Sequence, residues 1–309
     1  MYYVYKKSEN QRMKKIERRA YAKINLGLDV IRRRPDGYHE VKMIMQTVGI
    51  YDVLTFKKME GTGNSPLIRI QMEKKENQGE SLPCDKSNLI YKAADLIMET
   101  CGITEGVEIT LQKNIPIAAG MAGGSTDAAA VFHGLKELFG LSMNVEDMKR
   151  LGVQIGADVP YCIMGGTALS QGIGEVLTPV PAPPEAYLLI AKPDISVSTK
   201  YVYENLHADT LTWHPDIDGM VEALKLGSLQ GIAERMGNVL EKVTEKEYPV
   251  ISRLKEEMKA HGALNALMSG SGPTVFGIYR EKETAEKAYA AVEKLGLARD
   301  IFVTEFISP

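Results

Sequence analysis

The feature that most constrains this chain is Pro116-Ile117-Ala118-Ala119-Gly120-Met121-Ala122-Gly123-Gly124-Ser125-Thr126-Asp127. An apolar, β-prone run from Val107 to Ile115 enters it. Val131, Leu135 and Leu138 follow it at helical spacing, with Phe132 and Phe139 beside them. Strand, glycine-rich loop and helix together make an anion site. Glycines admit a close backbone approach, successive N–H groups form a concave nest, and the helix N-terminus adds its dipole. Ser125 and Thr126 can add hydroxyl donors or cap the helix. No Lys follows the glycines, so this is not a Walker A loop, and the Gly-x-Gly-x-x-Gly pattern is missing as well. A tight turn packed with small residues is the competing reading. Gly120, Gly123 and Gly124 are expected to carry the positive φ angles. Ala118, Ala119 and Ala122 bear a Cβ and are not.

Around this loop the chain alternates between hairpins and helices. Residues 1–14 read as a loose polar extension, with Met13 an alternative start. Ile16 to Ile31 reads as a strand or two, Arg34-Pro35-Asp36-Gly37 as a turn, and Val41–Val48 and Val53–Phe56 as further runs in antiparallel order. Lys74 to Ser81 is polar and reads as an exposed loop. Ser87 to Cys101 reads as a helix capped by Asp85 or Ser87. Asn144 caps another helix through Ile155. It stops at Gly156-Ala157-Asp158-Val159-Pro160, and Tyr161 to Ser170 reads as a strand. The proline-rich stretch Pro179 to Pro184 is the best domain boundary. Beyond it come a strand (Tyr187–Ala191), helices near Ser198–Leu206 and Val250–His261, and strands Leu264–Met268 and Thr274–Tyr279 around Ser269-Gly270-Ser271-Gly272-Pro273. A helix (Glu283–Leu295) and a strand (Ile301–Phe306) follow, which suggests a small α+β sandwich.

Bulk properties exclude several classes. A net charge of −3 gives no electrostatic case for nucleic acid or an anionic membrane. No apolar run is long enough to span a bilayer, and the N-terminus has no apolar signal core. Cys84, Cys101 and Cys162 are too few and too scattered for a zinc or disulfide framework. They read as buried free thiols in a reducing cytosol. No His or Cys cluster has metal spacing, and His133 reads as structural.

Lys23 stands among apolar neighbours, where the plain reading is an edge lysine with its stem packed. Asp158 precedes Val159-Pro160, where the plain reading is a turn former. The combination is more specific. Ala22-Lys23-Ile24-Asn25-Leu26, the 116–127 loop and Met268-Ser269-Gly270-Ser271-Gly272 occur in the order and with the content of the GHMP small-molecule kinases, which this chain resembles from about residue 16 onward. Pro35-Asp36-Gly37-Tyr38-His39-Glu40 and Ile155-Gly156-Ala157-Asp158-Val159-Pro160 are similar to the branch whose acceptor is 4-diphosphocytidyl-2-C-methyl-D-erythritol.

The resemblance implies an α+β, two-lobed GHMP kinase fold. Its N-terminal lobe (15–178) would be ribosomal-protein-S5-like and bind ATP, and its C-terminal lobe (185–309) would be a ferredoxin-like α/β sandwich. It implies phosphorylation of the acceptor's tertiary 2-hydroxyl by ATP with Mg2+, in the cytoplasm, by a monomer or homodimer. Asp158 would face the hydroxyl, with Lys23 beside it and Asn25 bonding the acceptor. Aspartate is too weak a base, with an ordinary pKa of about 3.9, to ionise an alcohol before attack. Its role would be alignment and late proton uptake. Tyr38, His39 and Tyr203 would hold the cytidine end. Residues 116–126 would wrap the ATP phosphates, with Lys113 and Asn88 near the adenine or phosphates and Mg2+ held mainly by phosphate oxygens and water. Many members have glycine where this chain has Ala118, Ala119 and Ala122. Two alternatives stay open: another GHMP kinase, acting on homoserine, mevalonate or a sugar, and a nucleotide-binding regulator without chemistry.

Overall fold

A computed structural model describes residues 15–61, 67–73 and 82–308. The expected extension 1–14, with Met13, and the expected loop 74–81 lie outside them. The architecture begins with a long hairpin of β1 (Lys15–Arg33) and β2 (His39–Met59). Arg34 to Gly37 forms the expected turn: Gly37 has φ 88°, and Arg34 N–H donates to Tyr38 O at 2.7 Å. The runs expected separately at 41–48 and 53–56 are one strand, because β2 changes partner along its length. Its first part pairs with β5 (Thr167–Gly172) and its last part with β4 (Gly106–Gln112). β3 (Ile68–Met72) pairs parallel to β4, and β6 (Val176–Pro179) extends β5.

Two helices cover this sheet. α1 (Leu89–Thr100) and α2 (Gly123–Phe139) bury Ile90, Ala94, Ile97, Val131, Phe132 and Leu135 against Leu54, Phe56, Ile109 and Leu111. Each large apolar side chain so buried contributes about 1.5–3 kcal/mol. Gly134 of α2 is required there, since a Cβ would stand 2.5 Å from the Phe56 ring. The cap of α1 is Asn88, not Asp85 or Ser87. Its Oδ1 accepts the Ile90 N–H at 2.9 Å, whereas Asp85 turns back onto Ser87. α3 (Val145–Gly152) has the expected Asn144 cap, completed as a capping box by Asp147.

The segment after Asp158 corrects the sequence reading. It forms α4 (Val159–Met164), not the start of a strand. Pro160 sits in the first turn, where its missing N–H costs nothing, so it opens a helix instead of ending one. Only from Thr167 does the apolar run become β5.

The second sheet has strand order β11-β7-β10-β9 and is antiparallel throughout: β7 (Tyr187–Lys192), β9 (Asn265–Met268), β10 (Val275–Tyr279) and β11 (Asp300–Glu305). Between β7 and β9 run α5 (Thr199–Asn205), α6 (Ile217–Lys225), α7 (Leu229–Arg235), the short β8 (Gly237–Asn238), α8 (Glu241–Glu247) and α9 (Val250–Ala260). α10 (Lys282–Leu295) precedes β11. The sheets are not separable units. β8 pairs with β1 at Gly27 and Leu28, and Val48 bridges to Phe306. One core unites Ala22, Ile24 and Leu26 of β1 with Ile190, Phe276 and Ile278 of the second sheet. The cysteines are free, as expected, but Cys84 and Cys101 are exposed, not buried.

Candidate active site

Bulges in β1 set the site. The β1–β2 register slips between Tyr21 and Lys23 and again between Asn25 and Gly27. Such slips re-aim side chains. Ala22, Ile24 and Leu26 enter the shared core, while Lys23 and Asn25 line a cavity of about 1040 Å3 between the lobes. Lys23 is 5% exposed. Its ammonium donates to Asn25 Oδ1 at 2.8 Å and stands 3.8 Å from Asp158 Oδ2. Asn25 is fully buried and donates to Met43 Sδ at 3.2 Å, so it orients the lysine. Asp158 caps α4 by position only. Its side chain makes no capping bond and is one-third exposed to the cavity.

The glycine-rich loop forms another wall. Ala118 and Ala122 take φ 51° and 56° and Gly120 takes 68°, whereas Gly123 and Gly124 lie within α2. The expected assignment of positive φ is therefore corrected at four residues. The loop must turn twice before the helix starts, and Gly123 and Gly124 serve close packing instead. A Cβ on Gly123 would stand 2.9 Å from Lys113 Nζ, and one on Gly124 would stand 3.3 Å from Leu89. The first N–H groups of α2 have no partner within the helix. Gly123, Gly124 and Ser125 line the cavity there, so the helix presents donors to an anion.

Three bonds fix the loop: Lys23 N–H to Met121 O at 3.2 Å, Thr126 Oγ1 to Tyr21 O at 2.7 Å, and Ser269 Oγ to Gly120 O at 3.0 Å. Met121 faces the core, and Thr126 is spent on Tyr21. Those two members of the loop do not reach the cavity, whereas Pro116, Ile117 and Ala119 do.

At the far end, His39 and Tyr203 face each other with ring centroids 5.1 Å apart, and Tyr38 stands exposed at the rim. Burial, aided by Arg33 and opposed by Asp209, holds His39 below the usual histidine value. Burial raises the Tyr203 phenol, which stays protonated. Asn88 lines the cavity while its amide caps α1 and donates to Pro83 O. Lys113 is buried beneath the loop, between Asp52 and Asp127.

Sequence reasoning singled out the second glycine loop but missed its contact with Thr199, and it missed Asp52. The second glycine loop, 269–272, is a hairpin turn and also lines the cavity through Gly270 and Ser271. Ser271 Oγ meets Thr199 Oγ1 at 2.8 Å, so this loop touches both the 116–127 loop and the helix that carries Tyr203. The one visible signal of Asp52 is a carboxylate interrupting the apolar run Ile50–Leu54. Among the described residues no helix is long and apolar enough to cross a membrane.

Comparison with known proteins agrees with this geometry. Residues 88–166 match the GHMP kinases N terminal domain and 220–297 the GHMP kinases C terminal domain. The chain is 51% identical over 291 residues to a 4-diphosphocytidyl-2-C-methyl-D-erythritol kinase of Lachnoclostridium phytofermentans, covering 94% of this chain and 97% of that one. It is 50% identical to the kinase of the same name from Lachnospira eligens, over 96% of this chain and all of the relative. A crystal structure of 4-(cytidine 5'-diphospho)-2C-methyl-D-erythritol kinase superposes with a TM-score of 0.79 at 30% identity, over 95% of this chain and 100% of that one. A homoserine kinase from Cytophaga hutchinsonii, at 22% identity and a TM-score of 0.75 over 99% and 97% of the two chains, shares the fold.

Proposed function

The chain belongs to the 4-diphosphocytidyl-2-C-methyl-D-erythritol kinase family of GHMP kinases, and on that footing we propose how its cleft carries out the reaction. The enzyme transfers the γ-phosphoryl group of ATP to the 2-hydroxyl of 4-diphosphocytidyl-2-C-methyl-D-erythritol. The products are the 2-phosphate and ADP, in the non-mevalonate route to isopentenyl diphosphate. The observation that carries the site assignment is the Lys23–Asp158 pair, 3.8 Å apart in one cavity with the phosphate loop and the His39–Tyr203 pair.

In this reading ATP lays its phosphates on the loop, within residues 116–126, and on the first turn of α2, in the lobe formed by 15–178. Lys113 supports that floor from below, and Asn88 stands at its rim. Among the described residues no group of three His, Cys, Asp or Glu side chains is placed to hold a metal ion. Mg2+ would be carried mainly by ATP's phosphate oxygens and water, and when bound would offset their charge. Tyr203 and His39 hold the cytosine, Tyr38 packs at its edge, and the hydroxyl is brought to Asp158. Asp158 aligns it and takes its proton as the bond to phosphorus forms. Lys23, steadied by Asn25, holds Asp158 and offsets charge on the moving group. A hindered tertiary alcohol gains most from alignment, which can lower a barrier by about 7–11 kcal/mol. Phosphoryl transfer through a loose transition state needs little else.

The test is ADP release from MgATP with 4-diphosphocytidyl-2-C-methyl-D-erythritol, with homoserine, mevalonate and galactose in parallel. Turnover is expected on the first alone. Asp158→Ala should lower kcat by about 10²–10⁴-fold while the protein stays folded. Unimpaired turnover by that variant would remove Asp158 from the mechanism, and preference for another acceptor would overturn the substrate.

A further inference from the structure

Beneath the phosphate loop lies a cluster of buried charges whose protonation the reaction leaves open. Asp52 on β2, Lys113 just past β4 and Asp127 on α2, one residue beyond its first turn, are at most 4% exposed. The Lys113 ammonium donates to Asp52 Oδ2 and, at 3.0 Å, to Asp127 Oδ2. Asp52 Oδ1 also accepts the backbone N–H groups of Asn114 at 2.5 Å and Ile115 at 2.8 Å. Asp127 Oδ1, by contrast, has no hydrogen-bond partner.

Two carboxylates around one ammonium leave a net negative charge under a loop that must accept a polyphosphate. A buried carboxylate without enough donors takes up a proton instead. The donor count decides which one. Asp52 has three donors suited to an anion, and Asp127 has one. Burial pushes Asp127 well above the usual carboxylate range, Lys113 opposes this, and Asp52, within hydrogen-bonding reach, adds to it. The titratable groups acting on Asp127 are Lys113 past β4, Asp52 on β2 and Cys162 on α4. Burial, with Asp158 adding to it, keeps the Cys162 thiol protonated.

We infer that Asp127 is a neutral carboxylic acid which, with Asp52 and Lys113, makes an uncharged floor for the phosphate cleft, and that losing its proton weakens nucleotide binding. Asp127 is a positioning residue. It shares the ammonium of Lys113, and the loop backbone at Gly123 rests on that ammonium. Both side chains border the cavity. Protonation keeps the floor neutral. Ionisation would set a full negative charge under the phosphates.

The effect on nucleotide rests on the loop being the ATP site, as proposed above, but the proton on Asp127 does not. The first readout is the infrared difference between the full-length protein and Asp127→Asn, both with isotopically labelled aspartate, at neutral pH. A protonated-carboxyl C=O band present only in the unsubstituted protein is expected. Its absence would overturn the inference. The second readout is MgADP affinity by calorimetry between about pH 6 and 10. The unsubstituted protein should lose about three- to tenfold at the alkaline end, in step with loss of the band, and Asp127→Asn should show no such loss. Equal losses in both, or no loss while the band titrates, would overturn the link to nucleotide. Should Asp127→Asn fail to fold, the pH titration of the band in the unsubstituted protein decides the matter alone. No MgADP binding at any pH, with the band present, would count against the ATP site and leave the protonated Asp127 standing.

Discussion

Gly120→Ala isolates what the meeting of the two glycine loops is worth. The position has φ 68°, and a left-handed backbone costs an L-residue about 1–2 kcal/mol. That alone is bearable, since Ala118 and Ala122 accept it four residues apart in the same loop. What sets Gly120 apart is its wall. A Cβ there would overlap the Ser269 carbonyl oxygen and stand 3.0 Å from that of Gly272, and both belong to backbone with little room to yield. Overpacking of this kind costs about 1–3 kcal/mol. Pushing the loops apart also sacrifices the bond from Ser269 Oγ to Gly120 O, about 0.5–1.5 kcal/mol. The expected loss is about 3–6 kcal/mol, a large share of the stability of a typical protein. Urea unfolding should show it directly, and the thermal midpoint should fall by about 5–9 °C. MgATP affinity should drop at least about tenfold, as the loop proposed to hold the phosphates changes shape. Ser269→Ala, which removes only the hydrogen bond, should cost no more than about 1.5 kcal/mol. A Gly120→Ala protein destabilised by only about 1 kcal/mol, with ATP affinity intact, would refute the reasoning. The two loops would then not be in contact as described.

Other substitutions probe the remaining parts. Ala122→Gly should stabilise the protein by about 0.5–1 kcal/mol, because relief of left-handed strain exceeds the added freedom of the unfolded chain; a lower urea midpoint would show that the Ala122 methyl carries packing instead. Tyr203→Ala should raise the acceptor KM about ten- to a hundredfold and leave that for ATP unmoved, and parallel changes in both would place Tyr203 outside the cytidine end. His39 is held neutral by burial, so its contribution to stability is complete above the ordinary histidine value of about 6.5 and declines as the pH falls through it. Urea midpoints between about pH 5 and 8 should show that decline, and His39→Gln should show less of it.

Much of this was legible because certain residues permit little else. The Arg34-Pro35-Asp36-Gly37 turn, the Asn144 cap and the two glycine loops appear where the sequence puts them. Other signals were ambiguous for physical reasons. Pro160 forbids a helix that reaches it from behind but suits one that begins there, and the letters alone do not say which. Asp85, Ser87 and Asn88 are all competent caps. The choice fell to Asn88 because Asp85 is occupied in its own turn with Ser87. Alanine's Cβ argues against positive φ locally, yet bonds from Ser269 and Lys23 hold the loop in a shape that overrules it. The buried cluster was invisible because Asp52 and Lys113 lie 61 positions apart and meet only through the sheet.

The pairing of β8 with β1 bears on how the protein is made. Lys23 and Asn25 stand on a strand whose outer edge is completed at Gly27 and Leu28 by Gly237 and Asn238. On the ribosome, the hairpin of β1 and β2 emerges with that edge bare and waits through the synthesis of β3 to β7 and α1 to α7 before its partner arrives. An unpaired edge is a template for pairing with the wrong chain. The strand that bears Lys23 is thus also one whose edge stays open to mispairing while the chain is being made.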